Sequence, residues 1–209
     1  MPVPARLVAD HVSMRFGRRR LFDDLSVEVV AGAPLAVVGA NGSGKSTLLR
    51  ILAGLTAPTG GAVRLEVDGR ATPPDDLPRA VGFVAPALQL YEPLTARETL
   101  RFLATARRLA SAEDRIGATL DRVGLGGRAD EPVGAFSTGM RQRLRLATAL
   151  LHDPPVLLLD EPGSTLDAAG RDLVQSVIAT QNVVVVATND PDEAALCTRR
   201  LALGGAGVG

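Results

Sequence analysis

The sequence predicts an α/β fold: a mostly parallel sheet core, with an N-terminal antiparallel β subdomain and an inserted helical subdomain. Three observations point there. A glycine-rich loop joins the apolar run Pro34 to Val38 to a helix; strands and helices alternate on both sides of the chain's middle; and from Thr95 to about Leu151 the helical period holds with no strand between. Such alternation implies parallel strands whose carboxyl ends gather ligands. At 209 residues and 46% hydrophobic, the chain can build one sizeable core, or one core with a sub-lobe, and two full domains are not expected.

Leu7 to Val12 and Leu21 to Val30 alternate as strands, and the basic turn Gly17-Arg18-Arg19-Arg20 between them predicts an antiparallel hairpin. Pro34 to Val38 is a strand, Gly39 to Ser46 a loop, and Thr47 to Leu52 the start of a helix. Ala62 to Val67 reads as a strand, Thr72 to Asp76 as a turn-rich loop, Val81 to Val84 as a short buried strand, and Ala85 to Pro93 as a loop. Three helices follow, over Thr95 to Leu109, Ala112 to Val123 and about Thr138 to Leu151. Val156 to Leu159 is an apolar strand ending in Asp160 and Glu161; Asp167 to Thr180 is a helix, Val183 to Ala187 a strand buried on both faces, Asp190 to Thr198 a helix, and Arg200 to Leu203 a last strand. The tail Gly204 to Gly209 reads as a frayed end. The expected division is one domain, with residues 1–93 and 152–209 as its core and 94–151 as the helical subdomain.

Composition excludes several classes. With 23 Lys+Arg against 23 Asp+Glu, the zero formal net charge gives no global pull toward nucleic acid or anionic lipid, so no nucleic-acid partner is expected. An aromatic content of 3% with no Trp argues against a groove of stacked rings for single strands. The start lacks the apolar stretch of a signal peptide, and no run approaches the roughly 20 residues of a membrane span, so a cytoplasmic location is expected. Cys197 stands alone and reads as a buried or semi-buried helix thiol.

The chemistry begins at the loop. Gly39, Gly42 and Gly44 let the backbone turn tightly and aim N–H groups inward, while the helix N-terminus faces the same point; Asn41, Ser43 and Thr47 complete the candidate phosphate-binding set. Lys45 reaches β- and γ-phosphates and the Ser46 hydroxyl ligates Mg²⁺, so G-x-x-x-x-G-K-[ST] in this setting is a P-loop, or Walker A. Lys45 is the chain's single lysine, the other basic residues being arginine, and a planar guanidinium would not replace a compact ammonium there. Asp160 emerges at the end of a buried strand, where it can hold Mg²⁺ through water, and Glu161 beside it can orient the attacking water or take its proton. The fold class is therefore that of a P-loop NTPase, using a nucleoside triphosphate and Mg²⁺.

Taken together, Gly39 to Ser46, Phe136-Ser137-Thr138-Gly139-Met140-Arg141-Gln142-Arg143, Val156 to Pro162 and Ser164 to Asp167 resemble the nucleotide-binding subunit of ATP-binding cassette (ABC) transporters over nearly the whole chain. The resemblance makes the second segment the signature, the third the Walker B with its glutamate, and the fourth the D-loop. It implies that Phe16 stacks on adenine, and that Ser137 and Gly139 close on the γ-phosphate held by a second subunit in a head-to-tail dimer. The lesser reading of Phe16 is a core ring at a strand end. Three positions depart from the family. Asn189 stands where a switch histidine contacts the γ-phosphate, and it donates one neutral hydrogen bond but cannot become cationic. Pro86 stands at the Q-loop glutamine; Gln89 either substitutes if the loop bends or is a solvated residue. Thr138 and Met140 replace a glycine and a glutamine of the signature.

The resemblance implies an ATP-hydrolysing subunit, with Glu161, Lys45 and Asn189 as catalytic candidates, that drives a separate membrane-spanning subunit from the inner face of the membrane and pairs as a homodimer or with another ATPase subunit. Leu88, Leu90, Tyr91 and Phe102 are candidates to line the docking groove, although Phe102 is expected to pack inside the helical insert. Because the chain stops after its last strand, it resembles small subunits of the haem-exporter, cytochrome c biogenesis type, or of small multidrug and antibiotic exporters. A degenerate module that uses ATP as a switch with slow or no turnover is the alternative.

Overall fold

The computed structural model describes residues 4–204, so the tail expected to fray lies outside the described residues from Gly205 onward. In chain order the elements are β1 (Ala5–Phe16), β2 (Arg19–Val30), β3 (Leu35–Val38), α1 (Lys45–Leu52), β4 (Gly60–Val67), β5 (Arg70–Ala71), α2 (Leu77–Ala80), β6 (Val81–Val84), α3 (Ala96–Ala106), α4 (Ala112–Arg122), α5 (Thr138–Leu150), β7 (Val156–Asp160), α6 (Ala168–Thr180), β8 (Val183–Ala187), α7 (Pro191–Ala195) and β9 (Arg199–Ala202). The expected elements are all present. The differences are local: β5 and α2 carry no sequence pattern long enough to predict them, β1 extends beyond the expected Leu7 to Val12, and α3 and α7 stop at Ala106 and Ala195, each three residues early.

Two sheets share the work. β1 and β2 form the predicted hairpin and join β4 and β5 in an antiparallel sheet of order β2-β1-β4-β5. The second sheet is wholly parallel, of order β6-β7-β8-β3-β9. Its central strands Val156–Asp160 and Val183–Ala187 are buried at every position, as an apolar run covered on both faces requires. Alternate residues serve opposite cores. Val156, Leu158, Val183 and Val185 pack with α1 and the antiparallel sheet, whereas Leu157, Leu159, Val184 and Val186 pack with the helices α3 to α6.

Thr95 starts α3 with a reciprocal cap: its hydroxyl accepts from Glu98 N at 3.1 Å, and Glu98 Oε2 accepts from Thr95 N at 2.8 Å. Thr95→Ala is expected to cost about 1 kcal/mol of stability, lowering Tm by about 3 °C in a thermal melt. Cys197 is buried as expected but lies beyond the end of α7, not in a helix, and burial pushes its thiol up to about 11. No helix of the described residues is long and apolar enough to cross a membrane.

Candidate functional site

The P-loop crosses the carboxyl ends of the parallel strands. Gly39 (φ 154°) cannot carry a side chain, because a Cβ there would stand 2.3 Å from the Leu203 carbonyl oxygen and 2.8 Å from Ser43 Oγ. Gly44 (φ 103°) precedes α1 and gives it no side-chain cap. The first turn of α1 thus opens onto the loop, with Lys45 as its first residue.

Lys45 is almost wholly buried, and its Nζ donates to Gly39 O at 2.8 Å and to Asn189 Oδ1 at 2.8 Å. Asn189 in turn donates from Nδ2 to Asn41 Oδ1 at 2.5 Å. The switch position therefore bridges the loop and its lysine directly. Asn189 follows β8, and β8 lies between β3 and β7. The strand bearing Asp160 is consequently not the immediate neighbour of the P-loop strand; the switch strand is inserted between them. Three successive strand ends bring residues 45, 160 and 189 to one edge.

Asp160 is buried, and its Oδ1 has no hydrogen-bond partner. Burial pushes its carboxyl above the ordinary range, while the adjacent Ser46 hydroxyl and the Lys45 ammonium pull it back. Glu161 adopts a left-handed backbone (φ 49°) pinned by its N–H to Ala187 O at 2.8 Å. Its carboxyl is raised chiefly by burial, opposed by Lys45, with Glu193 and Asp160 adding repulsion. The cavity in front measures about 530 Å³ and is lined by Phe16, Arg19, Asn41, Lys45, Thr47 and Glu161, with Gly42, Gly44 and Ser46. Phe16 is 57% exposed at its mouth, which excludes the core-ring reading.

These features fit a nucleotide with its metal. A glycine cradle too tight for a Cβ, the unpartnered buried oxygens of Ser43 and Asp160, and a hydroxyl beside a carboxylate fit a triphosphate with its Mg²⁺, which Ser46 and Asp160 would hold.

Ser137 and Gly139 are elsewhere. Ser137 caps α5, its hydroxyl accepting from Met140 N at 3.2 Å, and with Gly139, Arg143, Thr165 and Asp167 it lines a second cavity of about 400 Å³ that shares no residue with the first. Arg143 pairs with Asp167 at 3.0 Å there. Pro86 and Gln89 are both exposed; Gln89 lines the groove beside α3, not the P-loop cavity, so the structure does not place it as a Q-loop substitute. That groove, about 520 Å³, is walled by Leu88, Leu90, Tyr91 and Phe102. Phe102 is 67% exposed, correcting the expectation that it packs inside the insert: its position on α3 turns away from the stripe formed by Ala96, Leu100 and Ala104.

Two residues escape sequence reasoning. Arg19, in the hairpin, reaches into the P-loop cavity and donates from Nη2 to Gly42 O at 2.9 Å. Glu193, buried, accepts from Gly163 N at 2.7 Å and from the Thr188 hydroxyl at 2.5 Å, joining the stretch after Glu161 to the switch. An acid in a short helix carries no pattern that would single it out, and Arg19 is one of several arginines in its turn.

The sequence pattern of the ABC transporter family matches residues 22–164. The chain is 32% identical over 187 residues to the lantibiotic transport ATP-binding protein SrtF of Streptococcus pyogenes, covering 88% of this chain and 80% of that one. It is 34% identical over 204 residues to the aliphatic sulfonates import ATP-binding protein SsuB 1 of Pseudomonas syringae pv. tomato, covering 95% and 70%. Among solved structures, an ATP-binding subunit of an ABC transporter superposes with a TM-score of 0.83 at 28% identity, over 94% of this chain and 85% of that one. A dimeric ATP-binding cassette in a post-hydrolysis state with ADP and Pi superposes with a TM-score of 0.81 at 25% identity, over 94% of each chain. The family pattern spans residues 22–164, the relatives named above exceed 30% identity over most of the chain, and the solved cassettes superpose over 94% of it, so the chain belongs to the ABC transporter family, as one of its ATP-binding and ATP-hydrolysing subunits.

Proposed function

We propose that this subunit hydrolyses ATP between two head-to-tail copies, or between itself and a paired ATPase subunit, and so drives a membrane-spanning partner from the inner face of the membrane. The observation that carries it is the convergence of Lys45, Asn189, Asp160 and Glu161 on one sheet edge, while Ser137 and Gly139 face a separate cavity. A site split in this way is complete only when a second subunit brings its signature to the P-loop, and a dimeric cassette is among the similar structures.

In this reading Gly39 to Thr47 and Lys45 hold the triphosphate, Phe16 stacks on the base, and Arg19 adds a cation at the cavity wall. Ser46 and Asp160 would hold Mg²⁺, which would supply positive charge against the phosphates. Glu161, raised and half-buried, orients the water and accepts its proton. Asn189 contacts the γ-phosphate with a neutral amide. Residues 94–151 form the subdomain that presents Ser137, and 1–93 with 152–209 form the core that binds nucleotide. The apolar groove receives a helix of the membrane subunit. Arg107 at its floor makes no ion pair among the described residues and is held below the ordinary arginine range by burial and by Arg79, which favours an acidic side chain on that helix. Of the small exporter types that the sequence resembles, the antibiotic type has a counterpart among the relatives named above, and the haem type has none.

Steady-state phosphate release at protein concentrations high enough for pairing tests the reading. Asn189→His is expected to raise turnover about tenfold, the gain from replacing a neutral with a charge-assisted hydrogen bond. ATP binding without phosphate release, in both wild type and Asn189→His, would establish the alternative of a nucleotide switch; the Asn189 to Lys45 bond, which occupies the lysine ahead of any phosphate, is what favours that second reading.

A further inference from the structure

Outside the nucleotide cavity, one polar chain runs from the surface to a buried amide with no carboxylate in it. On α5, Arg145 and Gln142 stand one turn apart. Arg145 Nε donates to Leu88 O at 2.7 Å, in the loop that walls the apolar groove, and its Nη1 donates to Gln142 Oε1 at 3.2 Å. Gln142 is buried and donates from Nε2 to Pro162 O at 3.1 Å, the carbonyl of the residue that follows Glu161. Burial, with repulsion from Arg141, holds the Arg145 guanidinium below its ordinary range, and both acceptors it has found are neutral oxygens. A partly buried cation without an ion pair costs desolvation that an acidic partner would offset, so stability alone does not account for it. Geometry does. A cation donating to Gln142 Oε1 polarises the amide and strengthens the bond that its N–H makes to Pro162 O.

We propose that Arg145 is a positioning residue that acts through Gln142, tying the groove loop to the peptide behind Glu161, so that an occupant displacing Leu88 also displaces Glu161. This rests on the reading of Glu161 as the group that orients water. The link bypasses Pro86, which has no side-chain donor, and it meets Glu161 where the backbone is left-handed: φ is 49°, with the N–H held by Ala187 O on one side and the carbonyl of Pro162 held by Gln142 on the other.

The test combines amide hydrogen exchange of the nucleotide-free chain with kinetics. Arg145→Met keeps the apolar stem and removes the donors; Gln142→Glu keeps the pairing with Arg145 and removes the donor to Pro162. Exchange over residues 161–166 is expected to rise about tenfold in each, the loss of one hydrogen bond, with β7 unchanged. Turnover is expected to fall about tenfold at an ATP Kd within about twofold of wild type, and the double variant to be no worse than either single one. Arg145→Lys, which retains the charge, is expected to lie between Arg145→Met and wild type and guards against misfolding of the larger change. Wild-type exchange over 161–166 in Arg145→Met, or losses that multiply in the double variant, would overturn the link. Glu161→Gln run beside them separates the two failures: wild-type turnover in that variant removes the role of Glu161, whereas a silent Glu161→Gln with unaltered Arg145→Met removes only the link.

Discussion

Glu161→Gln is expected to lower phosphate release by about 10²- to 10⁴-fold, the contribution of a positioned general base, while leaving ATP bound. The substitution keeps the size and the left-handed backbone, so nothing else in the site has reason to move. Because hydrolysis releases the pair, loss of the base should also accumulate an ATP-dependent dimer, seen as an earlier peak in size-exclusion chromatography. Turnover within threefold of wild type would refute the assignment. The raised carboxyl sets the pH dependence. As the pH falls, Glu161 takes up a proton above the ordinary glutamate range and ceases to be a base, so the acid limb of kcat/KM should lie above that range and should vanish from the residual activity of Glu161→Gln.

The second large effect is on binding. Lys45→Ala is expected to weaken ATP affinity by about 100-fold, in line with removing one preorganised charged donor. The ammonium sits under the loop, held by Gly39 O and Asn189 Oδ1, at a point where three strand ends bring in two carboxylates and no other lysine is available. Lys45→Arg should not rescue it, since a planar fork cannot occupy the space between those two oxygens as a compact ammonium does. Titration with a fluorescent nucleotide measures both variants. An affinity within twofold of wild type in Lys45→Ala would show that the loop's backbone suffices.

Much of this was readable along the chain because it is local. The glycines of the loop, the apolar run before Asp160, the capping residues Thr95, Ser137 and Asp167, and the all-β-branched strand 183–186 each state their structure within a few residues. Even the segregation of Ser137 from the P-loop follows from the helical run that separates them. Where the reading erred, the cause was orientation. Phe102 has a sequence around it compatible with either face, and the packing of α3 on α5 decides that it meets solvent.

By itself, then, the sequence determined the elements, the phosphate cradle, the strand-end carboxylates and the family, since glycine conformation and hydrophobic period depend only on near neighbours in the chain. Only the tertiary structure decided that β8 lies between β3 and β7, that Asn189 therefore reaches both Lys45 and Asn41, and that Arg19, Glu193 and Arg145 enter the network at all. Those contacts join residues up to 148 positions apart, and which strand ends become neighbours is settled by long-range pairing that no local pattern encodes.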